Sequence, residues 1–261
     1  MRLDSITLAD LEVFRDPGGR CGVAALFAPT ETSAGRAALH RRLRAPSADL
    51  DEILDAQAAV RFFAEEWKLA LLPQGLLDTI EGYLASNIDL GGRHSLGRDL
   101  THSVWLPLGD RDLRRELTDG VAACSDLLSA SEVLARALLA SGPPPMVQSL
   151  AEGILTLRNA LGWVRRTPFL FSTIRTDRAL RTEALERTRD LVDLLGELDA
   201  LRTMGVTTRR LGWVLPELVD AERFLLECEG LYHPFLDAPT GNPVEIAGGE
   251  PFVASASSSP R

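Results

Sequence analysis

The chain has 261 residues, of which 45% are apolar and 25% are charged. This composition is too apolar for a disordered tail, and the chain is long enough to bury one large core or two modest ones. The net charge of −9 argues against a protein that grips nucleic acid over its whole surface, because non-specific affinity comes from Lys and Arg side chains that neutralise phosphates.

Three cysteines, Cys21, Cys124 and Cys228, are far apart and show no paired spacing. This pattern favours a reducing compartment over a disulfide framework or a zinc site. No stretch approaches the roughly 20 uninterrupted apolar residues that span a bilayer, and the N-terminus has no apolar run after a basic start. We therefore expect a cytoplasmic protein with no membrane partner.

The first clear helical signal starts after Thr30 or Thr32, either of which is placed to cap it. Ala34, Ala38 and Leu39 fall on one face of this helix. The opposite face is basic and contains Arg36, His40, Arg41, Arg42 and Arg44. This spacing predicts an amphipathic helix that Pro46 ends.

A second helix follows, with Ser47 as the predicted N-cap and an acidic first turn that suits the helix dipole. Apolar residues at three-and-four spacing predict its buried stripe: Leu50, Ile53, Leu54, Ala58, Phe62 and Trp67. A short helix is predicted at 74–86. The glycine-rich stretch 87–109 then interrupts the helical pattern, with a candidate short strand at 103–106.

The second half of the chain reads as long helices. A helix is predicted to start near 110 and to continue or restart through 129–139, and Gly142 with the prolines 143–145 stops it. Another helix is predicted through 147–161. The longest signal covers 176–204, and at about 1.5 Å per residue such a helix exceeds 40 Å. We interpret it as a rigid strut within an all-α fold.

Three separated segments resemble one protein family. Thr30–Arg36, with Leu39, Arg41 and Pro46 after it, is similar to the opening of the core or lever domain of MutS-type DNA mismatch repair proteins. Leu195–Leu201, which contains Leu198-Asp199-Ala200, is similar to the end of that lever. Gly230–Pro234 is similar to the His-Pro turn that begins the family's ATPase domain, and Asn242 matches an Asn that follows it.

The resemblance implies an all-α fold, a long-helix lever and core bundle of the MutS domain III type with small strand-containing ends. It implies that residues 1–230 form this helical domain and that 231–261 are the start of a truncated, partly disordered ATPase domain. Mismatch reading is not expected, and the spacing from Val60 to Leu198 is too short for a full DNA-clamping domain, as in a clampless branch of the family.

The implied function is to couple ATP-dependent motion to the binding of DNA, including mismatched DNA. The intact parent is expected to be a homodimeric, DNA-dependent ATPase that binds ATP and Mg²⁺, with His233, Pro234 and Asn242 in the first part of its ATPase domain. This chain contains no Gly-Lys-Ser or Gly-Lys-Thr, so the phosphate-binding P-loop is missing. We therefore expect no catalysis and no cofactor in this fragment.

Arginines near the middle loops are the best candidates for contact with DNA phosphates, and a solvated charged face is the alternative. They are Arg158, Arg165, Arg166, Arg175, Arg178 and Arg181. Arg36, Arg41 and Arg42 are second candidates. The four tryptophans, Trp67, Trp105, Trp163 and Trp213, are isolated within apolar runs and are predicted to be core residues rather than a stacking platform.

The sequence contains few residues in patterns typical of a catalytic or metal site outside the family resemblance. His94 and His102 could hold a metal ion but lack a carboxylate or cysteine at ligand spacing. Cys228 and His233 could form a nucleophile and base, although a core thiol and a His-Pro turn explain them better. The cluster of Asp49, Asp51, Glu52 and Asp55 is similar to the Asp-rich metal sites of all-helical prenyl-transfer enzymes, but a second acidic cluster is not evident and helix capping explains the first. The alternative function is a helical protein-interaction or scaffold module that does not bind DNA.

Overall fold

The structure is a computed structural model that describes residues 5–11, 13–14, 22–27, 30–67, 72–73, 75–86, 111–167, 169–218, 225–236 and 240–248. The candidate strand at 103–106 and the two histidines at 94 and 102 lie outside these residues. The chain divides into two compact units, Met1–Leu215, here called the helical unit, and Pro216–Arg261, here called the C-terminal unit.

The described residues form eight α-helices, one short 3₁₀ helix at Val23–Phe27 and two β-strands. The all-α fold class is therefore confirmed. In chain order the elements are α1 (Ser5–Asp10), α2 (Ser33–Arg44), α3 (Leu50–Glu65), α4 (Leu76–Ala85), α5 (Arg111–Ala140), α6 (Pro145–Ala160), α7 (Leu170–Arg181), α8 (Leu185–Leu211), β1 (Leu225–Leu231) and β2 (Asn242–Ala247).

Helix α8 is the centre of the helical unit and packs along α2, α3 and α6. Two of its glycines permit close approach. A Cβ at Gly196 would lie 2.8 Å from the backbone carbonyl carbon of Ala34 in α2, and one at Gly205 would lie 2.6 Å from the carbonyl oxygen of Val60 in α3. The backbones of three helices therefore meet without intervening side chains.

The main core lies among helices α2, α3, α5, α6 and α8. Helices α3, α5, α6 and α8 each contribute a fully buried apolar side chain, for example Phe63, Leu127, Ile154 and Leu195. Burial of a side chain of this size stabilises the fold by about 1.5–3 kcal/mol relative to exposure. Helix α5 also contacts α4 and α7, which places α7 at the edge of the bundle away from α2.

The prediction of one helix over 176–204 is wrong. Helix α7 ends at Arg181 and α8 begins at Leu185, and the 30-residue α5 is longer than either. The break is closed by local hydrogen bonds, from the Thr182 hydroxyl to the Arg178 carbonyl at 2.8 Å and from the Ala184 amide to the Ala179 carbonyl at 2.9 Å. Tertiary packing causes it, because α7 lies mainly against α5 and α8 against α2 and α3.

The first two predicted helices are present. Of the two candidate caps, Thr32 is the one that caps α2, and it accepts a hydrogen bond from the Gly35 amide at 2.9 Å. Asp49, rather than Ser47, caps α3 by accepting from the Glu52 amide at 3.1 Å.

The predicted buried stripe of α3 is partly wrong. Leu50 and Leu54 are 42% and 43% exposed, because α3 approaches α8 most closely around residues 60–64, beside Gly205. The buried residues of its C-terminal half include Phe62, and Trp67 just beyond the helix is also buried. The short helix predicted at 74–86 and the long helix at 110–139 are confirmed as α4 and α5.

In the C-terminal unit, β1 and β2 form an antiparallel pair in which Leu226 lies opposite Ile246 and Cys228 opposite Val244. The register shifts between Cys228 and Leu231, where Gly230 has a φ of +70°. This unit begins at Pro216, whereas the sequence places a domain boundary at 230. The assignment of 231–261 to an ATPase domain stays a prediction, and so does disorder at 245–261, where 249–261 lie outside the described residues.

The remaining sequence expectations have mixed outcomes. Trp67 is buried and Trp213 is half-buried, but Trp163 is 45% exposed, so its assignment to the core is wrong. Cys124 is a buried free thiol, and Cys228 is a half-buried free thiol on β1 rather than a core residue. In the part of the chain that the structure describes, no helix has the length and apolar character that a bilayer crossing requires.

Candidate nucleic-acid interface

The six arginines predicted to contact phosphates fall into three different settings. Arg178 and Arg181 are on α7 and are largely covered by the protein, Arg158 and Arg166 form ion pairs with α5, and Arg165 and Arg175 are exposed. The structure therefore does not bring them together as one basic surface. Whether any of them binds DNA stays a prediction.

Arg181 is part of a buried polar cluster between α4 and α7. Its Nε donates to the Asp177 carboxylate at 2.9 Å and its Nη1 to the Ser86 carbonyl at 2.6 Å, while the guanidinium lies 4.4 Å from the Tyr83 ring centroid. Asp177 is only 1% exposed and also accepts a hydrogen bond from the Tyr83 hydroxyl at 2.5 Å. The positive charge of Arg181 is thus compensated inside the protein.

The other titratable groups of this cluster are held in their neutral forms. Burial, followed by the nearby Asp177 carboxylate, raises the pKa of Tyr83 far above its usual range. The same two causes, burial first, raise the pKa of the Cys124 thiol to about 12. A thiol with this pKa is not a nucleophile at neutral pH. The cluster therefore has the character of a structural connection between helices rather than a reactive centre.

Arg158 and Arg166 connect α6 and the loop after it to α5. Arg158 forms an ion pair with Glu132, which also binds Arg136 at 2.7 Å. Arg166 binds Asp126 at 2.6 Å. A carboxylate partner in an ion pair neutralises the positive charge of the arginine, which would otherwise attract a phosphate. These two side chains are therefore weaker candidates for DNA contact.

Arg165 and Arg175 differ from the other four because both are exposed and, within the described residues, neither forms an ion pair. Arg175 borders a groove of about 450 Å³ between the loop after α6 and helix α7, here called the Trp163 groove. Its described lining residues are Trp163, Arg175, Thr176, Ala179 and Glu183. An exposed indole and a guanidinium on one groove form a surface that the sequence interpretation did not include.

The loop position of Trp163 is the signal that could have revealed this surface. Gly162 follows the apolar run of α6, and Arg165 and Arg166 come two and three residues after the tryptophan. An aromatic residue that lies just beyond a helix and close to two arginines is a candidate for an exposed ring. The second candidate set is less available, because Arg41 and Arg42 bind Glu197 at 3.2 and 2.9 Å, whereas Arg36 is exposed.

The two segments that resemble the beginning and the end of the lever are in direct contact. Asp199, which is 1% exposed on α8, accepts hydrogen bonds from the Thr32 amide at 2.9 Å and the Thr32 hydroxyl at 2.7 Å. An added Cβ at Gly35 would come within 2.0 Å of the same carboxylate. We call this contact between Asp199 and the first turn of α2 the α2–α8 joint. The negative charge at a helix N-terminus also suits the helix dipole.

The residues that resemble the start of an ATPase domain lie together at one end of the β-hairpin. Asn242 is the first residue of β2 and is opposite Leu231, and His233 and Pro234 follow β1 within three residues. The His233 ring nitrogen Nδ1 accepts from the Phe235 amide at 3.4 Å. All three residues are exposed.

Within the described ranges no group of three or more His, Cys, Asp or Glu side chains could hold a metal ion. The carboxylate of Asp49 in the acidic segment 49–55 is occupied by the α3 amide that it caps. No protein-family model and no curated protein matches this chain.

Proposed function

We propose that this chain is a MutS-like core and lever region that couples ATP-dependent motion to DNA binding and performs no catalysis of its own. ATP and Mg²⁺ would act at a P-loop in the ATPase part of the parent protein, which we propose to be a cytoplasmic homodimer. The described residues contribute helices and their connections to this process.

The observation that supports the proposal best is the α2–α8 joint. The two segments that resemble the beginning and the end of a lever are 167 residues apart in sequence, yet Asp199 and Thr32 share two hydrogen bonds. Glycines at the same contact, Gly35 and Gly196, leave no space for a side chain. The residues that carry the resemblance are thus the residues that this packing requires.

The dimensions of α8 suit a lever. A 27-residue helix is about 40 Å long, and it is held to α2 by Asp199 and to α3 around Gly205. A rigid helix attached in this way transmits displacement from one end to the other instead of absorbing it. Rigid-body movement of such elements is a common form of conformational switching.

DNA contact, in this proposal, rests on Arg165 and Arg175, with Arg36 as a second site. Two or three phosphate contacts give weak, salt-sensitive binding, which agrees with the net charge of −9. Other parts of the parent would supply the remaining affinity.

Fluorescence anisotropy with homoduplex, mismatched and branched DNA across a salt series tests the proposal. We expect binding that weakens with salt, prefers branched or mismatched DNA and decreases when Arg165 and Arg175 are both changed to Ala. The matched control is Arg61→Ala, since Arg61 is an exposed arginine on α3. Absence of binding to all three substrates at low salt contradicts the DNA part of the proposal.

A protein-interaction or scaffold module is the second candidate. The C-terminal unit exposes apolar side chains that a partner could cover, including Leu226, Leu231 and Leu236, which are 40%, 49% and 61% exposed. Exposed apolar surface of this kind is typical of interaction sites. This candidate predicts no DNA binding, together with concentration-dependent self-association or partner binding that polar substitutions at these leucines abolish.

A further inference from the structure

We propose that the Trp163 groove binds single-stranded nucleic acid, with one base stacked on the Trp163 indole and the adjoining phosphates at Arg175 and Arg165. This proposal rests on the DNA-binding part of the proposed function and specifies the form of nucleic acid that the arginine-bearing surface accepts.

The Trp163 indole is exposed on the surface of the helical unit. Trp163 is 45% exposed although the helical unit has a large core, and the neighbouring Phe169 is 70% exposed. Two large aromatic side chains within seven residues therefore face solvent in a connecting loop and the start of α7. Exposed aromatic rings on which bases stack are the common feature of proteins that bind single strands without sequence preference.

Charge also favours this site. Arg165 and Arg175 both follow Trp163 in sequence and, among the described residues, have no carboxylate partner, in contrast to Arg158, Arg166 and Arg181. Arg175 lines the groove together with Trp163, and the Thr176 hydroxyl adds a polar group beside it. Glu183 also lines the groove, so phosphate is expected near Arg175 rather than along the whole length.

The size and shape of the site favour a strand over a duplex. The groove has a volume of about 450 Å³ and lies between a loop and one helix. Stacking on Trp163 requires a base whose face is accessible, and the faces of bases inside a duplex are covered by their neighbours. Arg175 and Thr176 are about two helical turns from Phe169, roughly 10 Å along α7. A single strand could follow α7 between the two aromatic residues.

The test is fluorescence anisotropy with labelled oligo(dT), alongside the duplex and branched probes of the previous section, with tryptophan fluorescence as a second readout. We expect oligo(dT) to bind and to quench tryptophan emission. Two phosphate contacts give a slope of about −1.4 for the logarithm of the binding constant against the logarithm of salt concentration, at about −0.7 per contact on single strands.

The variants separate stacking from charge. Trp163→Ala should weaken oligo(dT) binding about tenfold or more, whereas Trp163→Phe should retain most of it, since stacking needs a ring. Arg175→Ala and Arg165→Ala should each reduce the salt slope by about 0.7. Arg61→Ala should change neither quantity. Circular dichroism melts check that the Trp163 variants remain folded, as expected for a half-exposed side chain.

Several results would overturn the proposal. Equal binding of oligo(dT) by the unchanged protein and Trp163→Ala would exclude stacking on this residue. If an acidic peptide displaced labelled oligo(dT) as effectively as unlabelled oligo(dT) does, the groove would bind an anionic protein partner. If free dTMP bound as tightly as the oligomer, the groove would be a nucleotide site. Branched-duplex binding without oligo(dT) binding would overturn this inference while leaving the proposed function intact. Oligo(dT) binding without a preference for branched or mismatched duplexes would contradict the proposed function and leave this inference intact.

Discussion

The helical unit and the C-terminal unit use similar apolar residues in opposite ways. Around α8, leucines such as Leu195 and Leu198 are buried to 1% or less, whereas Leu225, Leu226 and Leu231 of β1 are 40–49% exposed. Apolar content alone therefore does not decide whether a segment has a core. The difference arises because α8 is covered by several other helices, whereas the described residues of the C-terminal unit form only two strands, with no third strand or helix among them to cover either face.

This comparison predicts where stability resides. Burial and hydrogen bonds within the helical unit should determine the unfolding free energy that circular dichroism measures. The C-terminal hairpin should contribute little, since an isolated two-stranded sheet is at best marginally stable in water.

The largest effect is expected from Arg181→Met. This change leaves the buried Asp177 carboxylate without its guanidinium partner, and removing one member of a buried ion pair costs about 3–5 kcal/mol. Urea denaturation followed by circular dichroism measures the loss. The double variant Asp177→Leu with Arg181→Met should recover much of it, because no unpaired charge remains. A loss below about 1 kcal/mol in the single variant would show that the cluster does not hold α4 to α7.

Asp199→Ala should destabilise the helical unit by about 2–4 kcal/mol, because the Thr32 amide and hydroxyl lose a charged acceptor in a buried place. Asp193→Ala is the matched control on the same helix. Its side chain is 63% exposed and its ion pair with Arg41 spans 3.7 Å, so its loss should be below about 1 kcal/mol. Equal effects of the two variants would contradict a structural role for the joint.

Gly205→Ala should cost about 1–3 kcal/mol, since the new methyl group would lie 2.6 Å from the Val60 carbonyl oxygen and α8 would have to move away from α3. Gly82→Ala on α4 is the control, because nothing lies within 4 Å of its added Cβ. There the better helix propensity of alanine should stabilise the protein by up to about 1 kcal/mol. Thermal melts of the two variants should shift in opposite directions.

The cysteines provide one chemical probe in each unit. In a Cys21→Ser variant, which removes the third cysteine, Cys228 should react with a thiol reagent at neutral pH. Cys124 should remain unmodified until the helical unit unfolds, because burial raises the pKa of its thiol to about 12. Reaction of Cys124 at a rate similar to Cys228 in native buffer would contradict the contrast between the two units.

The smallest effect concerns pH. Burial, then the charges of Arg44 and Arg36, lower the pKa of His40 in the folded protein below its value of 6.5 in the unfolded chain. The unfolded state therefore binds the extra proton more readily, so stability is complete above pH 6.5 and falls as the pH drops through the folded pKa. His40→Gln should remove this part of the pH dependence in urea titrations at pH 7.5 and 5.5.

Local signals were sufficient to predict much of this fold. The cap at Thr32, the stop after Ala140 and the helix at 76–85 follow from residues within a few positions of each element. Such signals act through neighbouring backbone groups, so the sequence alone reveals them. The basic character of the loop after α6 and of helix α7 is likewise visible in the sequence, and it places Arg165 and Arg175 among the candidates.

Features that depend on distant partners could not be predicted. The break at 182–184 contains neither glycine nor proline and exists because α7 and α8 pack on different helices. The six candidate arginines lie close together in the sequence. Only the folded positions of Asp126, Glu132 and Asp177 show which of these arginines already form ion pairs. The exposure of Trp163 depends in the same way on what the rest of the fold leaves uncovered.

The 167 residues that separate the two partners of the α2–α8 joint have a consequence for how the protein is made. At about 5–20 residues per second, a ribosome adds Asp199 roughly 8–30 s after Thr32. During that interval α2 exists without the carboxylate and the glycine-lined surface that complete it, so the N-terminal helices cannot reach their final packing one after another as they emerge. Synthesis should therefore pass through a long stage in which the apolar face of α2 is available to chaperones.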